Sequence, residues 1–480
     1  MIRKPLVPQL YISAANKSSG KTTVSIGVCA ALSDRGLSVQ AFKKGPDYID
    51  PSWLTRATGR DCHNLDFYTM RREEILGAFA RYSRQADISV IEGSKGLHDA
   101  VDVEGRQSSA ALARLLDVPV VLIIDTRGLT RGIAPLLLGY QSFERDVAVA
   151  GVVLNMVGGP RHEAKLRAAV EHYTDIPVLG AIGRDPAMAL VEQHLGLVPA
   201  YEVEAVDEMI RRVRDTVATH VDLDGLVAIA RRAPSHSAGP PADCREYPEA
   251  DVRLGVAMDR AFGFYYPQDL DALRAAGAEL VPVDTLNDPA LPAIDGLLIG
   301  GGFPERHMDA LAANQSLRKE LRVAVESGLP VYAECGGLMY FCRRLFWGDR
   351  RSEMVGSIDA DVVMQERPQG RGYVRLRETG KGCWPTVDEG DDHKQLFGHE
   401  FHHSRLTNTP GTFEFAYDVQ RGHGVDGRHD GIVHRNLLAS YAHLRDADEC
   451  RWTSRFVAFV RSCRQAQFGP ERGAAIRQLG

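Results

Sequence analysis

Residues 14–23, AANKSSGKTT, close the short apolar run QLYISAA and open the helical stretch VSIGVCAALSDRGL. Strand, small-residue loop and helix in that order are the context a phosphate-binding Walker A loop requires. Small residues let backbone N–H groups converge on phosphates at a helix N-terminus; Lys21 adds a point charge and Thr22 offers a hydroxyl to Mg²⁺. Gly20, Lys21, Thr22 and Thr23 are therefore the candidate nucleotide-binding residues. Ala15 stands where the first Gly of G-x-x-x-x-G-K-[ST] is expected. The alternative is a Gly-Lys-Thr at an ordinary helix start.

Working outward, Leu6 to about Val198 alternates strand-length runs with helical periodicity. QLYISAA, SVQAFKKG, ISVIEG, PVVLIID, AGVVLNMV and PVLGAIG read as parallel strands of a doubly wound α/β domain, which helical residues 199–232 close off. FKKGPDYIDP (42–51) and VIEGSKGLHDA (90–100) put carboxylates just after strands, at the edge where α/β folds bind ligands. Asp47, Asp50, Glu92 and Asp99 are candidates for Mg²⁺ and substrate; for Asp50 and Asp99 the competing reading is a turn residue. Asn155, ending the strand of LNMVGG, is set to contact a nucleotide base, although Asn also ends strands as a turn former.

Residues 233–251, APSHSAGPPADCREYPEAD, are rich in Pro, Ser and Gly and read as a linker between domains at 1–232 and 252–480. A second α/β series follows: RLGVAMD, AELVPVD, GLLIGGG and LPVYAECGG. Residues 347–430 are more irregular and read as antiparallel strands and loops. In LPVYAECGGLMYF (329–341) a cysteine sits where a strand turns sharply into a helix, a setting that exposes Cys335 as a nucleophile. The Gly336-Gly337 pair argues against an ordinary buried thiol. Upstream, GGGFPE supplies Gly301 and Gly302 as candidate oxyanion donors, or merely as a turn. A base must come from His399, His402, His403 or His443, and His443 suits a strand end.

Composition fits this picture. Of 480 residues 44% are hydrophobic and 25% charged, with a net charge of −6, so no general basic field invites nucleic acid. The longest apolar runs are strand-length, and no secretory leader precedes the phosphate loop, which together imply a soluble cytoplasmic enzyme. The eight cysteines include no CxxC pair.

With SSGKTT, FKKGPDYIDP, VIEGSKGLHD, GGGFPE, ECGGLMY, GHEFHHS and ASYAH in this order, the chain resembles the cobyrinic acid a,c-diamide synthase family over roughly residues 8–460. The resemblance implies a dethiobiotin-synthetase-like P-loop domain that phosphorylates a tetrapyrrole carboxylate, and a class I glutamine amidotransferase domain that supplies ammonia from L-glutamine. It implies ATP and Mg²⁺ as cofactors, with Lys21 and Thr22 on phosphate and metal, Asp47 and Glu92 sharing the metal, and Lys43 facing the γ-phosphate. It sets Tyr48, Asp50 and Asp99 near the reacting carboxylate, and pairs Cys335 with His443 for glutamine hydrolysis. A homodimer is a candidate assembly; nucleic acid and membrane are not expected partners.

Three features depart from the family pattern. Arg445 stands where many class I glutaminases carry an orienting Glu, Ser94 and Lys95 replace a small-apolar pair, and QERPQGRGYVRL (365–376) is unusually basic. Arg367, Arg371 and Arg375 are there to pair with substrate carboxylates, or to form a solvated loop. ISAANKSSGKTT, CHNLDF and RPQGRGYV are similar to the branch associated with dissimilatory sulfur metabolism and siroheme amidation, which is favoured slightly over cobyrinic acid. Competing readings are an amidotransferase for a non-tetrapyrrole acid and a partitioning-type P-loop ATPase with a degenerate second domain. The latter expects a lysine where Asn16 stands.

Overall fold

The computed structural model describes residues 7–185, 188, 192–193, 196–233, 247–385, 395–409, 411, 413–447 and 450–467. The chain divides into two compact units, Met1–Ala242 and Asp243–Gly480. Most of the expected linker, 233–251, lies outside the described residues.

In the first unit seven strands form one sheet: β1 (Gln9–Ala14), β2 (Val39–Lys44), β3 (His63–Leu65), β4 (Ile88–Glu92), β5 (Val120–Asp125), β6 (Val149–Val157) and β7 (Val178–Gly183). Their order is β3-β2-β4-β1-β5-β6-β7 and every pairing is parallel. The strands read as near-continuous apolar runs because both faces are covered. On one face Val24 and Val28 of α1 (Lys21–Asp34) pack with Val213 and Val217 of helix Val206–His220; on the other, Phe42, Ile91 and Leu122 share a core with Phe79. Six strands match those expected from sequence. The seventh, β3, has three residues, too few for a periodic signal. The carboxyl ends of β1, β2 and β4 meet at one edge, where Ala14, Lys44 and Glu92 hand over to loops.

The second unit begins with four parallel strands, β8 (Val252–Ala257), β9 (Ala278–Val283), β10 (Gly296–Ile299) and β11 (Val331–Glu334). The irregular stretch supplies β12 (Gly370–Glu378), β13 (Gln395–His402), β14 (Glu414–Arg421) and β15 (His429–His434), followed by β16 (Leu437–Ser440) and β17 (His443–Leu444). The sheet order is β9-β8-β10-β11-β16-β15-β14-β12-β13-β17. β16 lies parallel to β11, and the later pairings are antiparallel. Only Tyr441 and Ala442 separate β16, beside β11, from β17, at the far end of the order. The antiparallel half must therefore curl until β13 and β17 return to the C-terminal end of β11, where Cys335 follows.

Candidate active sites

In the first unit the phosphate loop is held by its own neighbours. Gly20 adopts φ +81° at the start of α1, and a Cβ there would lie 2.2 Å from Asn155 Nδ2. Backbone and space both require glycine. Asn155 Nδ2 donates to the Ser19 carbonyl at 2.8 Å, so the residue read as a base contact braces the loop. Asn16 Oδ1 accepts from Ser19 Oγ at 2.5 Å, a bracing role unlike that of the lysine a partitioning ATPase would carry there.

Five of the expected residues converge on Glu92 Oε1 or its neighbours. Lys21 Nζ and Thr22 Oγ1 each lie 2.7 Å from that oxygen, and Lys43 Nζ lies 3.0 Å away. Lys43 also meets Asp50 Oδ2 at 2.5 Å and Asp47 Oδ2 at 3.8 Å, and Thr22 Oγ1 is 3.3 Å from Asp50. Asp50 thus belongs to the ionic cluster rather than serving only a turn. Burial pushes the Glu92 carboxyl up, but Lys21 and Lys43 outweigh it and hold the pKa down at about 2. Burial works against the Lys43 charge too, yet Asp50, Glu92 and Asp47 keep its pKa well above the ordinary lysine value. Asp47 goes the other way: burial, then the neighbouring Asp50 charge, raise it to about 7. Its Oδ1 accepts the Ile49 and Asp50 N–H groups, capping the helix Ile49–Thr58 that Tyr48 precedes. Thr23 follows Thr22 in the first turn of α1.

Glu92 Oε2 is buried with no hydrogen-bond partner. Among the described residues no group of three or more His, Cys, Asp or Glu is arranged to hold a metal. A hydroxyl beside one orphaned carboxylate oxygen fits a cation that takes few protein donors and completes its shell with phosphate and water, which is the habit of Mg²⁺. Asp99 stands apart: its Oδ2 accepts the Gly96 N–H at 2.9 Å, the behaviour of a turn residue. Ser94 Oγ donates to the Lys44 carbonyl at 2.5 Å, tying the loop after β4 to the end of β2.

In the second unit Cys335 adopts φ +47°, ψ −96°, between β11 and the short helix Gly336–Phe341. A non-glycine residue at positive φ stores strain of roughly 1–3 kcal/mol. Its amide donates to the Ser440 carbonyl at 2.7 Å, locking the elbow to β16. His443 stacks on His399 with ring centroids 4.9 Å apart, and a Cβ on Gly301 would sit 2.5 Å from His443 Cε1. Gly302 N would lie 3.1 Å from a Cβ on Gly336. The two glycines expected as oxyanion donors therefore do border the cysteine elbow and its histidine. The other histidines separate: burial and the neighbouring His443 hold His399 well below its ordinary pKa, His402 stacks on Tyr441, and His403 Nδ1 lies 3.2 Å from the Gln365 carbonyl.

Sequence reasoning missed the third partner. His443 Nδ1 lies 3.2 Å from Glu334 Oε2, while Glu334 Oε1 accepts the Tyr332 hydroxyl at 2.7 Å and the Leu444 N–H at 3.0 Å. Glu334 directly precedes Cys335, so no spacing pattern flags it; the signal was an acidic residue closing an otherwise apolar strand. Arg445, at the position where an orienting Glu was sought, is buried with its guanidinium 4.7 Å from the Tyr266 ring centroid. Burial lowers the His443 pKa, but bonds to Cys335 and Glu334 raise it to about 10. Asp430, fully buried, accepts from Ser440 Oγ and from the Tyr441 and Ala442 amides, fixing the turn that delivers His443.

Comparison with known proteins matches both halves. Residues 12–198 match the CobQ/CobB/MinD/ParA nucleotide binding domain and residues 253–448 the CobB/CobQ-like glutamine amidotransferase domain. The chain is 45% identical to the cobyrinate a,c-diamide synthase of Magnetococcus marinus over 460 residues, 95% of this chain and 97% of that protein. The chain belongs to the cobyrinate a,c-diamide synthase family. The enzyme of that name from Methanosarcina acetivorans is 40% identical over 91% of this chain and 92% of its own length, and that from Archaeoglobus fulgidus 41% over 94% and 97%. As a member of this family the protein is a glutamine-dependent amidating ligase, with a nucleotide-binding unit and a glutamine amidotransferase unit. No helix among the described residues is long and apolar enough to cross a membrane.

Within that family setting Glu334 acquires a test. Glu334→Gln keeps the side-chain shape but removes the charge that orients His443 and favours its protonated form, so glutamine hydrolysis should fall about 10²- to 10⁴-fold. A histidine raised from 6.5 to about 10 stabilises the fold fully below pH 6.5 and loses that contribution as pH rises through 10. The Tm gap between parent and Glu334→Gln should therefore be widest near pH 6 and shrink toward pH 10. Unchanged hydrolysis in the variant would remove Glu334 from the site.

Proposed function

We propose that the protein converts peripheral acetate carboxylates of cobyrinate, a tetrapyrrole, to amides, using ATP to activate the acid and glutamine as the nitrogen source. The observation that carries this reading is likeness across both catalytic units at once. Relatives named cobyrinate a,c-diamide synthase align over 95%, 91% and 94% of the chain.

A carboxylate is a poor acceptor for ammonia, so the acid oxygen attacks the γ-phosphorus of ATP, ADP leaves, and an acyl phosphate with a good leaving group results. Lys21 and Lys43 neutralise the oxygens that gain charge in this transfer. Thr22 and Glu92, with Asp47, would hold Mg²⁺, whose charge screens the phosphates. In the other unit the Cys335 thiol proton passes to His443, which Glu334 keeps protonated; Cys335 Sγ attacks the glutamine side-chain amide, and His443 gives the proton to the departing ammonia. Gly301, Gly302 and the start of the helix after Cys335 supply amides near the developing oxyanion. Ammonia then displaces phosphate from the acyl phosphate, giving the amide.

Siroheme is a second reading, favoured by the resemblance in RPQGRGYV. A second of the three stretches behind it, CHNLDF, carries less weight, because Cys62, His63, Asn64 and Leu65 are buried and Asn64 Nδ2 donates to the Gly45 and Asp47 carbonyls. Incubating the enzyme with ATP, glutamine and either cobyrinic acid or siroheme, then weighing the product, tests both. Replacement of hydroxyl by amino in cobyrinic acid is the expected result. Conversion of siroheme alone would move the substrate, and conversion of neither would sink the tetrapyrrole assignment.

A further inference from the structure

Arg371 and Phe401 are direct partners in the antiparallel ladder of β12 and β13, so their side chains leave the sheet on the same side. The Arg371 guanidinium lies over the Phe401 ring, 5.5 Å from its centroid, and the Phe401 carbonyl is 4.0 Å from Cys335 Sγ. Two residues back along β13, on the same face, His399 stacks on His443. One row of side chains thus runs from the nucleophile and its base to an exposed arginine. Farther along β12, Arg377 is paired with Asp418 at 2.5 Å, whereas no carboxylate among the described residues forms an ion pair with Arg371.

A guanidinium stacked on a ring face is held in plane while its N–H edge stays available for the two oxygens of a carboxylate. When Cys335 attacks the side-chain amide of glutamine, the amino-acid end lies away from Sγ by the length of that side chain, toward this rim. We propose that Arg371 binds the α-carboxylate of glutamine and is the residue by which the site selects an amino acid over a simple amide. The proposal rests on glutamine being the substrate of Cys335. It assigns Arg371 to glutamine rather than to the tetrapyrrole acid because its ring support belongs to the residue whose carbonyl borders the nucleophile.

The test compares two alkylating agents on the full-length protein. 6-Diazo-5-oxo-L-norleucine carries the α-carboxylate and must dock as glutamine before it labels Cys335; iodoacetamide needs no docking. Arg371→Ala should slow labelling by the first about 30- to 100-fold and raise KM for glutamine to match, with iodoacetamide labelling and ammonia-driven amidation unchanged and Arg371→Lys intermediate. Equal labelling of parent and Arg371→Ala by the norleucine would overturn the proposal. So would an altered KM for the tetrapyrrole acid in the ammonia-driven reaction without a labelling defect, which would give Arg371 to that acid. Failure of the parent itself to be labelled at Cys335 by the norleucine would strike instead at the glutamine reading beneath it.

Discussion

Cys335→Ala should abolish amidation from glutamine and leave amidation from ammonium salts at the parent rate. The thiol supplies the only covalent step in glutamine hydrolysis, and a nucleophile acting as one unit with its base is worth on the order of 10⁶-fold. Alanine retains a Cβ, so the positive φ of 47° and its strain persist and the elbow has no reason to reorganise. Cys335 N still donates to the Ser440 carbonyl, and Glu334 remains tied to His443, Tyr332 and Leu444. Only the chemistry is removed. The measurement is product formed from the tetrapyrrole acid with glutamine and, separately, with ammonium chloride. Loss of both activities in a variant that still melts cooperatively would show that the two reactions do not run at separable sites.

Much of this arrangement was legible in the sequence, for physical reasons that differ from residue to residue. Lys21, Thr22 and Glu92 could be named because parallel strands end in loops at one edge, so residues just after different strands meet there. Cys335 could be named because glycines follow it at a strand-to-helix turn. His443 was one of four histidines, and the strand end that favoured it over His399 does not by itself show what brings it beside Cys335. What does is the curl that carries β17 back beside β11, a property of pairings between residues far apart in the chain. Glu334 and Asp430 escaped for the same reason: each is an acidic residue on an apolar strand until its partners, His443 and the turn 440–442, arrive from elsewhere. Asn155 was noticed, but its bond to Ser19 depends on β6 and the phosphate loop being neighbours in space.

Lys21→Ala should cut amidation from glutamine and from ammonia alike, about 10²- to 10³-fold, the loss typical when one group that stabilises a transition-state charge is removed. Glutamine hydrolysis at Cys335, followed without the tetrapyrrole acid, should survive. That pattern is the converse of the one for Cys335→Ala, and the pair of variants assigns each half-reaction to its unit. The same substitution has a stability signature. Glu92 is depressed from 4.5 to about 2, worth roughly 3 kcal/mol of stability at neutral pH. A carboxyl depressed in this way stabilises the fold above its unfolded pKa, and the contribution is lost as pH falls through the folded value. Without Lys21, Glu92 Oε1 keeps Lys43 at 3.0 Å and the Thr22 hydroxyl at 2.7 Å but loses one of its cations, and part of that stabilisation goes. The gap in unfolding free energy between parent and variant should be widest above pH 4.5 and close as pH falls toward 2. A gap that does not change with pH would mean that Lys21 does not hold Glu92 in its charged form. Amidation surviving in Lys21→Ala would displace the phosphate loop from the activation step.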